Sequence, residues 1–249
     1  MELTDQQLLR YSRQIFLPEI DVAGQERLLA SHIVVVGAGG LGSMSAPMLA
    51  AAGVGKLTLI DFDRIDLSNL ARQIPYDEAS IDQLKVEKLA ERIQQQNRDC
   101  ELVTIAEKLS QQQMQNVFAD VDMVLDGTDN FTTRHTINRA CYSVKTPLLS
   151  AAAAQFSGQL ALFDYVAGSP CYDCLYSNSG DDDNNCANNG VLGPVVAWLA
   201  SMQALEAIKF LTGMPVASRH HLVTVDTKNV RMHTVALSVD NECSVCSFA

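Results

Sequence analysis

Positive charge is what this 249-residue chain has least to spare: 18 Lys and Arg stand against 29 Asp and Glu, a formal net charge of −11. An unpatterned acidic surface repels phosphate, so nucleic acid and anionic membranes are set aside as main partners, and an anionic ligand needs a local basic cluster. A positively charged leader with a cleavable apolar core is also missing. "MELTDQQLLR" reads instead as a polar helix start capped by Thr4 or Asp5, and the expected compartment is the cytoplasm. No uninterrupted apolar run reaches the ~20 residues of a spanning helix. The most apolar stretch, "GVLGPVVAWLASMQALEAIKFLTG", is broken by Gly193, Pro194, Gln203, Glu206 and Lys209 and reads as a buried helix opening near Pro194 and closing at Gly213. No internal repeat is visible. Without a leader, seven cysteines point to metal or catalysis rather than to a disulfide framework.

What is present is alternation. After the helical patterns "DQQLLRYSRQI" and "GQERLLA", apolar strands ("HIVVVG", "KLTLIDFD", "CELVTIA", "VDMVLDGTDN") alternate with amphipathic helices ("LGSMSAPMLAAAG", "DQLKVEKLAERIQQQ", "QQQMQNVFAD", "TTRHTINRACYSV"). That pattern predicts an α/β, Rossmann-like fold: a mostly parallel sheet with helices on both faces. Pro47 is expected to kink the helix it sits in. From about residue 147 the pattern changes to two further strands in "PLLSAAAAQFSGQLALFDY" and a hairpin in "HHLVTVDTKNVRMHTVALS". The chain reads as one domain over 1–249, with N-terminal helices over 1–30, a nucleotide-binding half over 31–150 and a second half over 151–249. A mobile loop is expected over 177–190, because "YSNSGDDDNNCANNG" cannot bury enough apolar surface to order itself. Its Asp181, Asp182 and Asp183 read as a solvated run rather than an acidic metal site.

Three groups of residues carry chemistry. In "IVVVGAGGLG", Gly37, Gly39, Gly40 and Gly42 form the G-x-G-x-x-G of a strand, tight turn and helix start, where bare backbone lets phosphate oxygens reach exposed amides; NAD, FAD and ATP all suit it. Cys171 and Cys174 ("CYDC") with Cys243 and Cys246 ("CSVC") supply the four thiolates of a tetrahedral structural zinc site, a redox dithiol being the alternative. Cys100 and Cys141 are expected in the core. Third, Asp61 follows the glycine loop by about 20 residues, where a carboxylate holds ribose hydroxyls. Asn69, Arg72 and Lys85 lie just beyond it, and Asp129 ends a later strand. Cations plus a second acid suit a triphosphate and metal ion better than a dinucleotide, for which a nicotinamide-dependent oxidoreductase would be the rival reading.

The ordered run "RYSRQI", "GAGGLG", "AAGVGKLTLIDFD", "LSNLARQI", "DGTDN", "GQL", "CYDCL", "NGVLGPVV", "QALEAIKFL" and "CSVC" resembles the MoeB/ThiF/HesA family, relatives of the ubiquitin-activating enzymes, from Arg10 to Cys246. The resemblance implies ATP-dependent adenylylation of the C-terminal glycine carboxylate of a small ubiquitin-like sulfur carrier ending in Gly-Gly. The molybdopterin-synthase small subunit is the first carrier to consider and the thiamine-pathway carrier the second. By similarity Arg72 and Lys85 clamp the phosphates, Asp129 holds Mg²⁺, Asp61 reads the ribose, and Asp63, Asn69 and Asn130 belong to the nucleotide site. Arg13 matches an arginine inserted into the partner subunit's site, which implies a homodimer. Cys186 matches a cysteine that takes up carrier or sulfur covalently, with a sulfurtransferase as a further partner; no Lys, Arg or His flanks it to lower its pKa. Departures are Ala71 where relatives often have Gln, "IDQLK" in place of V-G-x-P-K, and Gly127 where Cys is common.

Overall fold

The computed structural model describes residues 2–177 and 190–247. Helix α1 (Asp5–Arg10) starts at a Thr4 cap whose hydroxyl accepts the Gln7 N–H, and Tyr11 separates it from α2 (Ser12–Ile15). The single helix expected over this stretch is divided there, and the Tyr11 ring is buried with its hydroxyl 3.0 Å from Asn97 Nδ2. Next come α3 (Asp21–Ala30), β1 (His32–Val36), α4 (Gly42–Ala52), β2 (Lys56–Ile60), α5 (Lys85–Gln96), β3 (Glu101–Ile105), α6 (Gln111–Phe118), β4 (Met123–Asp126) and α7 (Phe131–Val144). Helix α4 continues past Pro47 to a left-handed Gly53 cap.

The remaining elements are β5 (Leu148–Ala154), β6 (Ser157–Phe163), α8 (Tyr172–Tyr176), α9 (Gly193–Thr212), β7 (His221–Asp226) and β8 (Arg231–Ala236). They form one sheet in the order β3-β2-β1-β4-β5-β6-β7-β8, parallel from β3 through β5 and antiparallel from β5 to β8. This is the expected mainly parallel α/β fold. Gln155 and Phe156 turn β5 into β6, Gln155 with φ +53°.

Side-chain alternation along each strand decides what each face buries. Ile33 and Val35 of β1 face a core built with α3, α4, α5 and α9, whereas Val34 and Val36 face one built with α6, α7 and α8. Helix α9 is long and apolar enough to cross a bilayer, but half of its apolar window is buried inside the fold. It packs on α3, α4, β5 and β6, and the Gln203 amide near its middle donates to the carbonyls of Asp126 and Leu149 at 3.0 Å each. Gly213, in the left-handed region at φ +81°, ends it.

The chain order makes one place special. From β1 it moves outward to β2 and β3, then returns across to β4, so the connections leaving β1 and β4 depart in opposite directions. Ligands of doubly wound sheets settle in the crevice this opens at the carboxyl ends of the strands.

Candidate active site

At that crevice the structure has a cleft of about 800 Å³. Its walls include Gly37, Gly39, Gly40, Asp61, Asp63, Asn69, Arg72, Lys85, Asp129 and Asn130, residues drawn from the ends of β1, β2 and β4 and the segments after them. Gly42 is not among them. A Cβ at Gly42 would sit 1.8 Å from the Gly37 carbonyl oxygen, so this glycine serves the close approach of α4 to the end of β1. Gly37 itself has φ +90°. At Gly39 the nearest atom to such a Cβ is Gln73 Nε2 at 3.9 Å, so that face of the loop is open to a ligand.

Asp61 fastens the loop. Its carboxylate accepts the N–H of Ala38 at 2.7 Å and of Asp63 at 2.8 Å. Burial pushes its pKa above the ordinary carboxylate value, against those bonds and the nearby Lys85. Behind the loop, the buried Tyr76 hydroxyl lies 2.8 Å from the Ala38 carbonyl and 3.3 Å from that of Lys85, tying the start of α5 to the glycine turn. Burial raises the Tyr76 pKa, which keeps the phenol a donor. Lys85 is the first residue of α5; its side chain is 6% exposed and its Nζ lies 2.8 Å from Asp63 Oδ2, a carboxylate that is itself half exposed. Arg72 follows a short 3₁₀ turn over Leu67–Asn69, and its Nη1 donates to the Ser68 carbonyl at 3.0 Å.

The opposite wall is set by Asp126, fully buried at the end of β4. It accepts the backbone N–H and hydroxyl of Thr128 at 2.9 and 2.7 Å and the Ser150 hydroxyl at 2.8 Å. These bonds turn the chain out of the ladder, which is why the strand expected across "VDMVLDGTDN" stops at Asp126. The turn leaves Asp129 exposed and Asn130 as the cap of α7, its Oδ1 accepting the Thr133 N–H at 2.9 Å. Arg134, on the first turns of α7, donates to the Thr128 carbonyl from Nε at 3.2 Å and lies 4.0 Å from Asp126. An exposed carboxylate on the wall of this cleft is the kind of hard-oxygen donor that Mg²⁺ takes. Arg134, Gln73 and Lys108 also line the cleft and were missed from the sequence. Gln73 carried a signal, being the neighbour of Arg72 in "LARQ"; Arg134 and Lys108 carried none.

Arg13 does not join this cleft: it is exposed on α2. Cys186 and Asp181, Asp182 and Asp183 lie outside the described residues. Cys100 and Cys141 are buried, and burial raises the Cys100 thiol to about 12.

The four remaining cysteines converge, as their spacing predicts. The sulfurs of Cys171, Cys174, Cys243 and Cys246 all lie within 4.8 Å of one another, with Cys171–Cys243 at 3.6 Å, Cys174–Cys246 at 3.2 Å and Cys171–Cys174 at 3.9 Å. These are too long for disulfides, at ~2.05 Å, and bracket the ~3.8 Å between sulfurs that each lie ~2.3 Å from a tetrahedral zinc. Burial holds the Cys171 thiol up at about 12, so a thiolate there needs a cation beside it. Burial also works against a Cys243 thiolate, but the backbone N–H groups of Val245 and Cys246 together with the thiols of Cys246 and Cys171 outweigh it and lower that pKa. The residues fit zinc.

Residues 11–245 match the model of the ThiF family. The molybdopterin-synthase adenylyltransferase of Escherichia coli (strain K12) is 39% identical over 245 residues, covering 98% of each chain. The sulfur carrier protein ThiS adenylyltransferase of the same organism is 40% identical over 244 residues, covering 98% of this chain and 97% of that one. Among solved structures, E. coli MccB with ATP superposes with a TM-score of 0.84 at 23% identity, over 95% of this chain and 74% of that one, a likeness of fold.

Proposed function

The chain belongs to the ThiF family, and from that premise we propose that its cleft binds ATP and activates the C-terminal carboxylate of a small ubiquitin-like sulfur carrier. It is an adenylyltransferase. Family membership sets aside the nicotinamide reading, which left Arg72, Lys85 and Asp129 without a role. In the reaction a carboxylate oxygen of the carrier forms a bond to the α-phosphorus of ATP as the bond to the bridging oxygen breaks, giving acyl-adenylate and pyrophosphate.

The difficulty is electrostatic. Carboxylate and triphosphate are both anionic, and each pair of unit charges 4 Å apart costs about 4 kcal/mol near a protein surface. We assign Arg72 and Lys85 to the phosphates, Asp61 to the ribose, and Asp129 to a Mg²⁺ that, when bound, supplies further neutralising charge. The carboxylate is already ionised, so positioning and charge stabilisation suffice and no general base is needed. One observation supports these roles above the others: the glycine loop, Arg72, Lys85 and Asp129 line a single cleft although they are drawn from separate segments between Gly37 and Asp129. Beyond the phosphate region, Ala152, Ala153, Ala154 and Ser157 leave that cleft a wall of small side chains, which suits an extended glycine tail. The expected result is ATP/pyrophosphate exchange that requires the carrier's Gly-Gly end and is lost in Arg72→Ala and Asp129→Ala; exchange that persists in either variant refutes its assignment.

As the carrier, we propose first the molybdopterin-synthase small subunit and second the thiamine-pathway carrier; relatives named for the two activities are equally similar, at 39% and 40% identity. Mixing the protein with each carrier and ATP and weighing the acyl-adenylate decides between them. For Arg13 we propose insertion into the partner's cleft within a homodimer. Leu9, Phe16 and Leu17, exposed in the same N-terminal segment, support a partner-facing surface. Mixing Arg13→Ala with Arg72→Ala chains then restores activity that neither variant has alone; mixtures as inactive as their parents refute the composite site. The cysteine cluster is assigned to structural zinc, and metal analysis is expected to find about one zinc per chain; far less refutes the assignment.

A further inference from the structure

Helix α7 touches both centres. Its N-terminal residues Asn130, Phe131, Thr132 and Thr133 line the cleft, and Arg134 holds the Thr128 carbonyl that precedes Asp129. One turn on, His135, Asn138 and Arg139 share a face at i, i+3 and i+4 and all reach into the first cysteine knuckle. Asp173, between Cys171 and Cys174, is buried; its Oδ1 lies 2.7 Å from His135 Nδ1 and accepts from Asn138 Nδ2 at 2.9 Å, and its Oδ2 lies 3.5 Å from Arg139 Nη2.

Asn138 is fully buried. The same Nδ2 lies 3.7 Å from Cys171 Sγ, a donor aimed at a sulfur of the cluster, and its Oδ1 accepts the Tyr172 N–H at 3.1 Å and the Tyr165 hydroxyl at 3.0 Å. A carboxylate in a spacer position of a C-x-x-C knuckle is not needed to bind metal, and the tetrahedron is complete without it. What it does here is lock the knuckle to the helix that follows the Asp129 turn.

We propose that Asp173 and Asn138 are positioning residues that couple the zinc knuckle to the nucleotide cleft through α7, so that zinc and ATP favour each other's binding. The proposal rests on the zinc and ATP assignments above. Coupling between sites is reciprocal: whatever zinc does for ATP affinity, ATP does equally for zinc affinity. The metal's hold is therefore a readout independent of turnover.

The test measures the zinc dissociation constant of the full chain by competition with a zinc-selective chelator, at fixed magnesium, with and without a non-hydrolysable ATP analogue, nucleotide binding being followed separately by calorimetry. In the wild type the analogue is expected to tighten zinc about fivefold, the low end of allosteric couplings. In Asp173→Ala the ratio falls to near one while about one zinc per chain remains, and Asp173→Asn, which keeps an acceptor for Asn138, recovers most of the ratio. A wild-type protein that binds both ligands with a ratio of one overturns the coupling alone, as does an unchanged ratio in Asp173→Ala. A protein that holds no zinc overturns the metal assignment and the coupling with it. Should Asp173→Ala not fold, Asn138→Ala takes its place, with a ratio near one expected and an unchanged ratio overturning the proposal.

Discussion

Adding one methyl group at two positions of the glycine loop separates its structural from its binding duty. At Gly42 the new Cβ would lie 1.8 Å from the Gly37 oxygen and must retreat to at least 3.0 Å, an opening of about 1.2 Å between the first residue of α4 and the turn after β1. The obstacle is backbone and cannot rotate away. Overpacking of this kind costs about 1–3 kcal/mol, and a backbone contact belongs at the upper end; the better helix propensity of Ala returns up to ~1 kcal/mol. The net of about 2 kcal/mol lowers the melting temperature of a domain of this size by about 4–8 °C. At Gly39 the nearest neighbour is 3.9 Å away, so Gly39→Ala melts within about 2 °C of the wild type. Its methyl group occupies the face through which phosphate must approach, and ATP affinity falls at least about tenfold, or 1.4 kcal/mol. Thermal unfolding without ligand and calorimetric titration with ATP read the two effects independently. A Gly39→Ala protein that binds ATP like the wild type, or a Gly42→Ala protein that melts like it, refutes the division of labour.

Lys85→Met keeps the buried stem and removes the ammonium, leaving Asp63 half in water; melting should change little while ATP affinity drops by about one to two orders of magnitude, as expected for a lost charge-assisted bond of 1.5–3 kcal/mol. Cys243→Ser should lose zinc, and its melting temperature should match that of chelator-treated wild type; a variant that retains about one zinc per chain contradicts the ligand set. Asp164 is pushed upward by burial, yet His220 Nε2 at 2.6 Å and Arg219 Nε at 2.7 Å hold its pKa below the usual carboxylate value. The stability this contributes is complete above the unfolded carboxylate pKa of ~3.9 and is lost as pH falls through the lower folded value. Asp164→Asn should therefore flatten the acid limb of a melting-temperature profile, and an unchanged limb would show that other groups set it.

Much of the fold was legible because the strands from β1 to β5 are short β-branched or aliphatic runs separated by amphipathic helices, a pattern set by local periodicity. The glycine loop and the cysteine knuckles were legible for the same reason: spacing alone carries them. What sequence could not show was how buried polar groups end elements. Nothing in "VLDGTDN" says that Asp126 will turn its carboxylate onto Thr128 and stop the strand, nor that Tyr11 will be drawn inward to Asn97 and divide the first helix. Arg134 was invisible because it folds back onto Thr128 and Asp126 only once Asp126 has turned the chain, and Asp173 because its partners lie on α7, far away in sequence; an arginine near a helix start and an acid in a spacer look like ordinary surface charges until the chain has closed.

The two knuckles stand 72 positions apart, with α9 and the last hairpin of the sheet threaded between them. A ribosome delivers the first pair of sulfurs long before the second, so the zinc proposed for this cluster can be gripped early by only half its ligands. Closing that long loop is thus a late event in the life of each molecule, and one that removes many of the open conformations the unfolded chain would otherwise explore.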